Sequence, residues 1–198
     1  MALMDNIIGK NSIITSSIGG GSTSFTLYLL DNLCECYTTL YYSTGANIDN
    51  AFIKKYYPSV YNNCIFFIAT LNLFLEYITD LGNNLIHFSY IIIDTADIIG
   101  KNTLKDIKNL LDIYNIKLIV TSQLRINPNT NKPYSTVEEW NKQLSNKLFE
   151  NSIWIRNVNE PNTITKRKYI DIYNFFRIGN KFYKRYILNY DKRQGNIL

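Results

Sequence analysis

The chain has 198 residues, of which 46% are hydrophobic and 19% are charged, and this size fits one domain with a substantial core. Its net charge of +5 permits contact with polyanions, whereas its three cysteines and single histidine argue against a structural zinc site. No apolar stretch reaches about 18 uninterrupted residues and the first residues lack the pattern of a signal peptide, so we expect an intracellular protein without a membrane span.

Strand-like runs alternate with helix-like runs over the first two thirds of the chain. Strands are predicted at 11–17, 37–44, 63–70, 88–99 and 116–124, and helices at 22–35, 47–58, 72–84 and 102–115. The run "FSYIIIDTADII" at 88–99 is apolar almost throughout, as a central strand buried on both faces requires. Parallel strands need crossover connections, which the intervening helices provide. The pattern predicts an α/β fold with a mostly parallel central sheet flanked by helices.

The last third of the chain has a different character. Residues 125–136 are polar and contain prolines, which is typical of a loop, and residues 137–151 have a helical pattern. Strand patterns follow at 152–158, 168–178 and 181–190. The Gly-Asn turn at 179–180, between the last two strands, favours a C-terminal antiparallel hairpin. No repeat or linker interrupts the plan, so we expect a single domain over 1–198.

The stretch "SSIGGGSTSF" at 16–25 lies between a predicted strand and a predicted helix. A P-loop has this context and the pattern GxxxxGK[ST], in which backbone N–H groups and a helix N-terminus surround phosphate oxygens. In the best register Ser22 stands at the lysine position and Thr23 at the magnesium-binding hydroxyl. Backbone amides that can still hold a phosphate belong to Gly19, Gly20 and Gly21. A simple strand-to-helix turn, for which glycine merely allows tight geometry, is the alternative.

Two polar residues follow at the ends of later predicted strands. Asp94 ends the run "YIIID", where a Walker B carboxylate would hold magnesium through water, and Gln123 lies near the end of the strand at 116–124. Ligands of open α/β sheets bind at the carboxyl ends of the strands, so we expect the glycine-rich loop, Asp94 and Gln123 to converge on one crevice. The alternative is that Asp94 caps a strand end and that Gln123 is a satisfied polar residue.

Together these stretches resemble RecA/Rad51-type recombinases of the phage or large-virus type. "GGGSTSFTLYLL" is similar to the Walker A loop and its helix, "YIIIDTADII" to Walker B, and "IVTSQLRINPNTNKPYS" to the sensor strand and the following DNA-binding loop. The resemblance implies a bare RecA-like P-loop core. It also implies that Ser22 replaces the lysine that stabilises phosphoryl transfer, and that residues 41–47 lack the family's catalytic glutamate. We therefore expect no efficient ATPase and no resident cofactor, with at most weak binding of ATP and magnesium.

The resemblance places DNA contacts in the 125–136 loop, through Arg125, Lys132 and Tyr134. Further basic residues mix with aromatic ones in "TKRKY" and "KFYKRY", and they are Arg167, Lys168, Lys184 and Arg185. A solvated loop and edge-strand charges that prevent aggregation are the alternatives.

Three functions are open from the sequence. The first is a catalytically degenerate RecA-like protein that binds single-stranded DNA, or assembles with itself or with an active RecA-like homologue, in viral or phage recombination, replication or genome packaging. The second is a slow DNA-dependent ATPase that borrows a basic residue such as Lys168 or Lys184 from a neighbouring subunit. The third is a structural or interaction protein. A viral protein of this kind would work in the host cytoplasm, in the nucleus or in the virion.

Overall fold

The structure, a computed structural model, describes residues 7–16, 22–45, 50–155, 170–178, 181–191 and 196–197. The strands are β1 (Ser12–Ser16), β2 (Thr39–Ser43), β3 (Cys64–Ile68), β4 (Tyr90–Ile93), β5 (Lys117–Ile126), β6 (Pro133–Ser135), β7 (Asn151–Ile155), β8 (Ile170–Ile178), β9 (Lys181–Asp191) and β10 (Asn196–Ile197). The α-helices are α1 (Ser22–Cys34), α2 (Asn50–Tyr56), α3 (Pro58–Asn63), α4 (Leu71–Leu81), α5 (Lys101–Ile113) and α6 (Thr136–Gln143), and 3-10 helices cover Gly82–His87 and Ala96–Ile98. Within these ranges, no helix is long and apolar enough to span a bilayer.

The central sheet is mostly parallel. Its strands lie in the order β3-β2-β4-β5-β1-β7, and β6 pairs with β5 in the antiparallel direction. At least one helix lies between successive parallel strands, because a parallel connection must return to the opposite edge of the sheet. Strands β1 and β2 are consecutive in the chain but not neighbours in the sheet, because β5 and β4 lie between them. The predicted parallel sheet flanked by helices is confirmed.

Helices cover both faces of this sheet, since side chains of a strand alternate between the faces. One core joins α1, α2 and α3 to the face that we call the α1 face, through Leu29, Ile53, Val60, Ile14 and Ile92. A second core joins α4, α5 and α6 to the opposite face, which we call the α5 face, through Phe74, Ile107, Val137, Ile93 and Val120. Strand β4 is buried along its whole length, as a central strand with two covered faces must be.

Two predicted elements end earlier than their sequence patterns indicate. Strand β4 ends at Ile93, not at residue 99, because Thr95 adopts the left-handed conformation (φ 64°) and turns the chain into a 3-10 helix. The helix predicted over 137–151 ends at Gln143. There the Asn141 side chain accepts hydrogen bonds from the backbone N–H groups of Leu148 (2.8 Å) and Phe149 (3.2 Å), which holds the returning chain in a non-helical path.

The C-terminal strands form a second, three-stranded sheet in the order β10-β9-β8. Strands β8 and β9 are antiparallel, from the pair Ile170–Tyr190 to the pair Ile178–Lys181, with a register shift between Tyr173 and Phe175. The predicted antiparallel hairpin is therefore confirmed, whereas its Gly-Asn turn at 179–180 lies outside the described residues.

Candidate functional site

The carboxyl ends of β1, β5 and β4 meet at one edge of the sheet. Ser16 at the end of β1 pairs with Gln123 of β5, and Ile93, the residue before Asp94, pairs with Val120. The structure therefore brings Asp94, Gln123 and the residue that precedes the glycine-rich segment to the same edge. Gly19, Gly20 and Gly21 lie outside the described residues. Ser22 and Thr23 form the first residues of α1, which packs on the face that carries Ile92.

Both carboxylate oxygens of Asp94 are occupied by hydroxyl donors from the neighbouring strands. Tyr41 of β2 donates to Oδ2 and Thr121 of β5 donates to Oδ1, each across 2.6 Å. The hydroxyls belong to buried residues, and Asp94 itself is only 6% exposed. Burial, together with the charge of Asp94, raises the pKa of Tyr41 well above its ordinary value, so its hydroxyl keeps its proton and remains a donor. Each oxygen of the carboxylate thus has one hydrogen-bond donor from a neighbouring strand of the sheet.

The residue after Asp94 has a strained backbone. Thr95 has a φ of 64°, in the left-handed region that a β-branched side chain rarely adopts. Its N–H donates to Oγ1 of Thr121 across 2.6 Å, and the same hydroxyl donates to Asp94. One buried hydroxyl therefore holds both the turn and the carboxylate. Strain of this kind persists only where surrounding contacts enforce it, and it concentrates at functional sites.

A second acid, Asp97, bonds to β5 near the same edge of the sheet. Asp97 accepts hydrogen bonds from the hydroxyl of Ser122 (2.9 Å) and from the backbone N–H of Gln123 (2.8 Å). The Ser122 hydroxyl is also 2.7 Å from that of Ser135, which caps α6 by accepting from the N–H of Glu138 (3.2 Å). Asp97 therefore fixes β5 at the point where its pairing with β1 ends and, through the serine pair, the start of α6.

Sequence reasoning missed Tyr41, Thr121 and Asp97. A signal for Asp97 was present in the spacing of "DTAD", which puts a second acid one turn after Asp94. The two hydroxyls were visible only as polar residues near strand ends, in "TTLYYST" and "LIVTSQ". Among the side chains that the structure describes, no group of three or more His, Cys, Asp or Glu residues gathers into a potential metal site.

The segment predicted as a loop at 125–136 is largely a β-hairpin. Strand β5 pairs with β1 only as far as Gln123, and beyond it pairs with β6 through Leu124–Ser135, Arg125–Tyr134 and Ile126–Pro133. The hairpin therefore extends past the edge of the parallel sheet. Its tip is an Asx turn, in which Oδ1 of Asn127 accepts from the N–H groups of Asn129 (2.9 Å) and Thr130 (3.3 Å).

The hairpin presents the polar residues singled out in its sequence. Gln123 and Arg125 are exposed, and they share the face of β5 on which Thr121 bonds to Asp94, because residues two apart lie on one face. Tyr134 stands directly opposite Arg125 and is half-buried, and Lys132 in the tip is exposed. Arg167 and Lys168 lie outside the described residues, while Lys184 and Arg185 belong to β9.

No protein-family model matches the chain, and no curated protein matches it in sequence. Solved structures do match in fold. A RadB recombinase aligns with a TM-score of 0.56 and 12% identity, over 77% of this chain and 77% of that protein. A KaiC-like protein of the hyperthermophilic archaeon Pyrococcus horikoshii aligns with a TM-score of 0.59 and 15% identity, over 88% of this chain and 84% of its own. The chain therefore has a RecA-like core fold.

Proposed function

We propose that this protein is a catalytically degenerate RecA-like protein that acts by binding single-stranded DNA and by assembly, without efficient ATP hydrolysis. The observation that carries the proposal is the closure of Asp94, the residue at the Walker B position, by the hydroxyls of Tyr41 and Thr121. Ser22 at the lysine position supports the same conclusion, because a serine supplies neither the reach nor the charge for a γ-phosphate.

The closure of Asp94 weakens any site for Mg·ATP. A magnesium-bound water would have to donate to a second lone pair of an oxygen that already accepts a short bond from a buried hydroxyl, at a residue that is only 6% exposed. Displacing either hydroxyl leaves a buried donor unsatisfied, which costs about 1–3 kcal/mol. We therefore expect ATP and magnesium to bind weakly, through backbone amides of the glycine-rich segment.

The hairpin supports the DNA-binding part of the proposal. Arg125 and Lys132 are exposed cations beyond the sheet edge, and Tyr134 opposite Arg125 offers a ring on which a base can stack. Additional phosphate contacts are assigned to Arg167, Lys168, Lys184 and Arg185. Abundant Asn, Ile, Tyr and Lys, whose codons are A/T-rich, motivate the further proposal of a viral or phage source, with a role in recombination, replication or genome packaging.

The DNA-binding proposal is tested by fluorescence anisotropy with a labelled single-stranded oligonucleotide at several salt concentrations. Log affinity should fall linearly with log salt, and Arg125→Ala should lower the magnitude of the slope by about 0.7, the value for one lost single-strand phosphate contact. The matched control is Lys105→Ala, because Lys105 is an exposed cation that belongs to α5 and not to the hairpin. An equal effect of both substitutions would show that only net charge matters.

A second experiment separates the remaining functions. Thermal shifts with ATP and ADP, with and without magnesium, should be small, and the ATPase rate should not change in Asp94→Ala. Activity that rises with protein concentration and is lost in Asp94→Ala would instead identify a slow ATPase that uses Lys168 or Lys184 of a neighbouring subunit. Absence of both DNA binding and nucleotide stabilisation would identify a structural or interaction protein.

A further inference from the structure

The two acids of the turn after β4 bind three successive residues of β5. Thr121 donates to Asp94 across 2.6 Å. Ser122 and Gln123 both donate to Asp97, the first from its hydroxyl across 2.9 Å and the second from its backbone N–H across 2.8 Å. The pairing of β5 with β1 ends at Gln123, and the β5–β6 hairpin begins at the next residue. Asp97 therefore holds β5 at the last point before the hairpin leaves the sheet.

The hydrogen bonds at the root of the hairpin, where its two arms meet the sheet, run in one direction. A carboxylate only accepts, so the Ser122 hydroxyl uses its single proton on Asp97. In its 2.7 Å contact with Ser122, Ser135 is therefore the donor, and it accepts in turn from the N–H of Glu138 (3.2 Å). Ser122 and Ser135 are 1% and 0% exposed, so water does not replace these partners. Both arms of the hairpin are thus tied to Asp97.

The hairpin itself contributes little to its own orientation. Its ladder has three residue pairs, from Leu124–Ser135 to Ile126–Pro133, and Pro133 has no N–H to donate. A two-stranded hairpin on its own is marginally stable in water. The direction of the hairpin relative to the parallel sheet therefore depends on the bonds at its root.

We propose that Asp97 is a positioning residue for DNA binding, because it fixes the direction of the hairpin and so holds Arg125 and Tyr134 where a single strand reaches both. This inference rests on the proposed function, since single-stranded DNA is the ligand for which the hairpin is positioned. Asp97 itself is negatively charged and repels a DNA phosphate. Arg125 lies only two residues, roughly 7 Å along a strand, from the Gln123 N–H that bonds to Asp97. A favourable effect of Asp97 on DNA binding is therefore an effect of geometry and not of charge.

Asparagine has the shape of aspartate but cannot make the same bonds at position 97. If its amide nitrogen faces Ser122, the serine pair loses its final acceptor, and one buried hydroxyl keeps an unused proton. If the amide nitrogen faces Gln123, two N–H donors oppose each other. Asp97→Asn therefore breaks one of the two bonds to β5 while it removes one negative charge.

The first measurement is amide hydrogen exchange on the full-length protein without DNA. Asp97→Asn should speed exchange by about tenfold or more at Gln123, Asn127 and Asn131, whose N–H groups are hydrogen-bonded at the root and the tip of the hairpin. Amides of β4 should stay protected, because the change is confined to the hairpin.

The second measurement is fluorescence anisotropy with a labelled single-stranded oligonucleotide. Asp97→Asn should lower the affinity about tenfold, because the hairpin then has its binding orientation in only a fraction of the molecules. The matched control is Asp106→Asn, which removes the same charge from an exposed position of α5 and should leave the affinity unchanged or slightly higher. Ser122→Ala keeps the charge of Asp97 but breaks its link to Ser135. It should act in the same direction as Asp97→Asn, and it decides the question should that variant fail to fold.

The two measurements separate failure of this inference from failure of the proposed function. If the unaltered protein does not bind single-stranded DNA, the proposed function is wrong and the inference falls with it. If the protein binds DNA but Asp97→Asn binds as tightly as Asp106→Asn, the proposed function stands and the inference is wrong. Unchanged exchange in the hairpin also overturns the inference. Faster exchange together with weaker binding, in Asp97→Asn and not in Asp106→Asn, supports it.

Discussion

The hydrogen bond between Tyr41 and Asp94 makes a strong prediction about stability. Replacing Tyr41 with phenylalanine removes one hydroxyl oxygen and leaves the ring, so no large cavity forms in the core. The change leaves Oδ2 of Asp94 without its donor, in a place where Tyr41 is fully buried and Asp94 is 6% exposed. Because water does not reach this oxygen, the loss is not repaired by solvent.

The expected magnitude follows from the geometry of the bond. Hydrogen bonds to charged groups contribute about 1.5–3 kcal/mol, and the 2.6 Å distance between the Tyr41 hydroxyl and Oδ2 is that of a strong charge-assisted bond. We expect Tyr41→Phe to lower the free energy of unfolding by about 2–3 kcal/mol. For a chain of this size the free energy of unfolding falls by about 2 kcal/mol per molar urea. The urea concentration at the midpoint of unfolding should therefore fall by about 1 M.

The neighbouring residue provides a matched control. Tyr42 is also fully buried, but no hydrogen-bond partner for its hydroxyl is found in the described part of the chain. Tyr42→Phe removes an unsatisfied buried hydroxyl and should leave stability unchanged or raise it by up to about 1 kcal/mol. Urea unfolding followed by circular dichroism measures both variants. Equal midpoints for the two would refute the assignment of the Tyr41–Asp94 bond as a stabilising contact.

Three further substitutions test the contacts around the site, each by urea unfolding. Thr95→Asn should raise the free energy of unfolding by about 1 kcal/mol, because asparagine tolerates positive φ, whereas Thr95→Val should not stabilise the protein. Ser135→Ala should lower the free energy of unfolding by about 2 kcal/mol, because the cap of α6 and the contact with Ser122 are lost. An unchanged midpoint would show that neither contact stabilises the protein. Asn141→Ala should lower it by about 2 kcal/mol and speed amide exchange at Leu148 and Phe149, and protected amides there would refute its role.

Much of the fold was predictable because its signals are local. Apolar runs and helical periodicity identified every strand of the parallel sheet and each helix between them except α3, although the predicted ends of β4 and α6 lie six and eight residues too late. The errors occur where the chain turns while remaining apolar, as at Ala96 and Ile99, which are buried beyond the end of β4. Pro58, predicted to end a helix, begins α3, where its missing N–H is not needed.

The site was predictable only in part, because it depends on contacts between distant residues. Asp94 and Gln123 lie at one edge of the sheet, as predicted, because carboxyl ends of parallel strands share an edge. That prediction requires only the positions of the strand ends in the sequence. The bonds from Tyr41 and Thr121 require the strand order, in which β4 lies between β2 and β5, and no local pattern contains that order. The hairpin was missed for the same reason, because β6 is recognisable as a strand only through its pairing with β5.

The two hydroxyl donors on Asp94 have an electrostatic explanation. A buried carboxylate must be compensated, by a cation or by hydrogen-bond donors. Within the described residues no lysine or arginine forms an ion pair with Asp94. Neutral hydroxyls from Tyr41 and Thr121 satisfy the carboxylate instead. If the proposed function is right, Ser22→Lys alone should not create tight binding of Mg·ATP, because Asp94 stays buried and keeps both hydroxyl bonds.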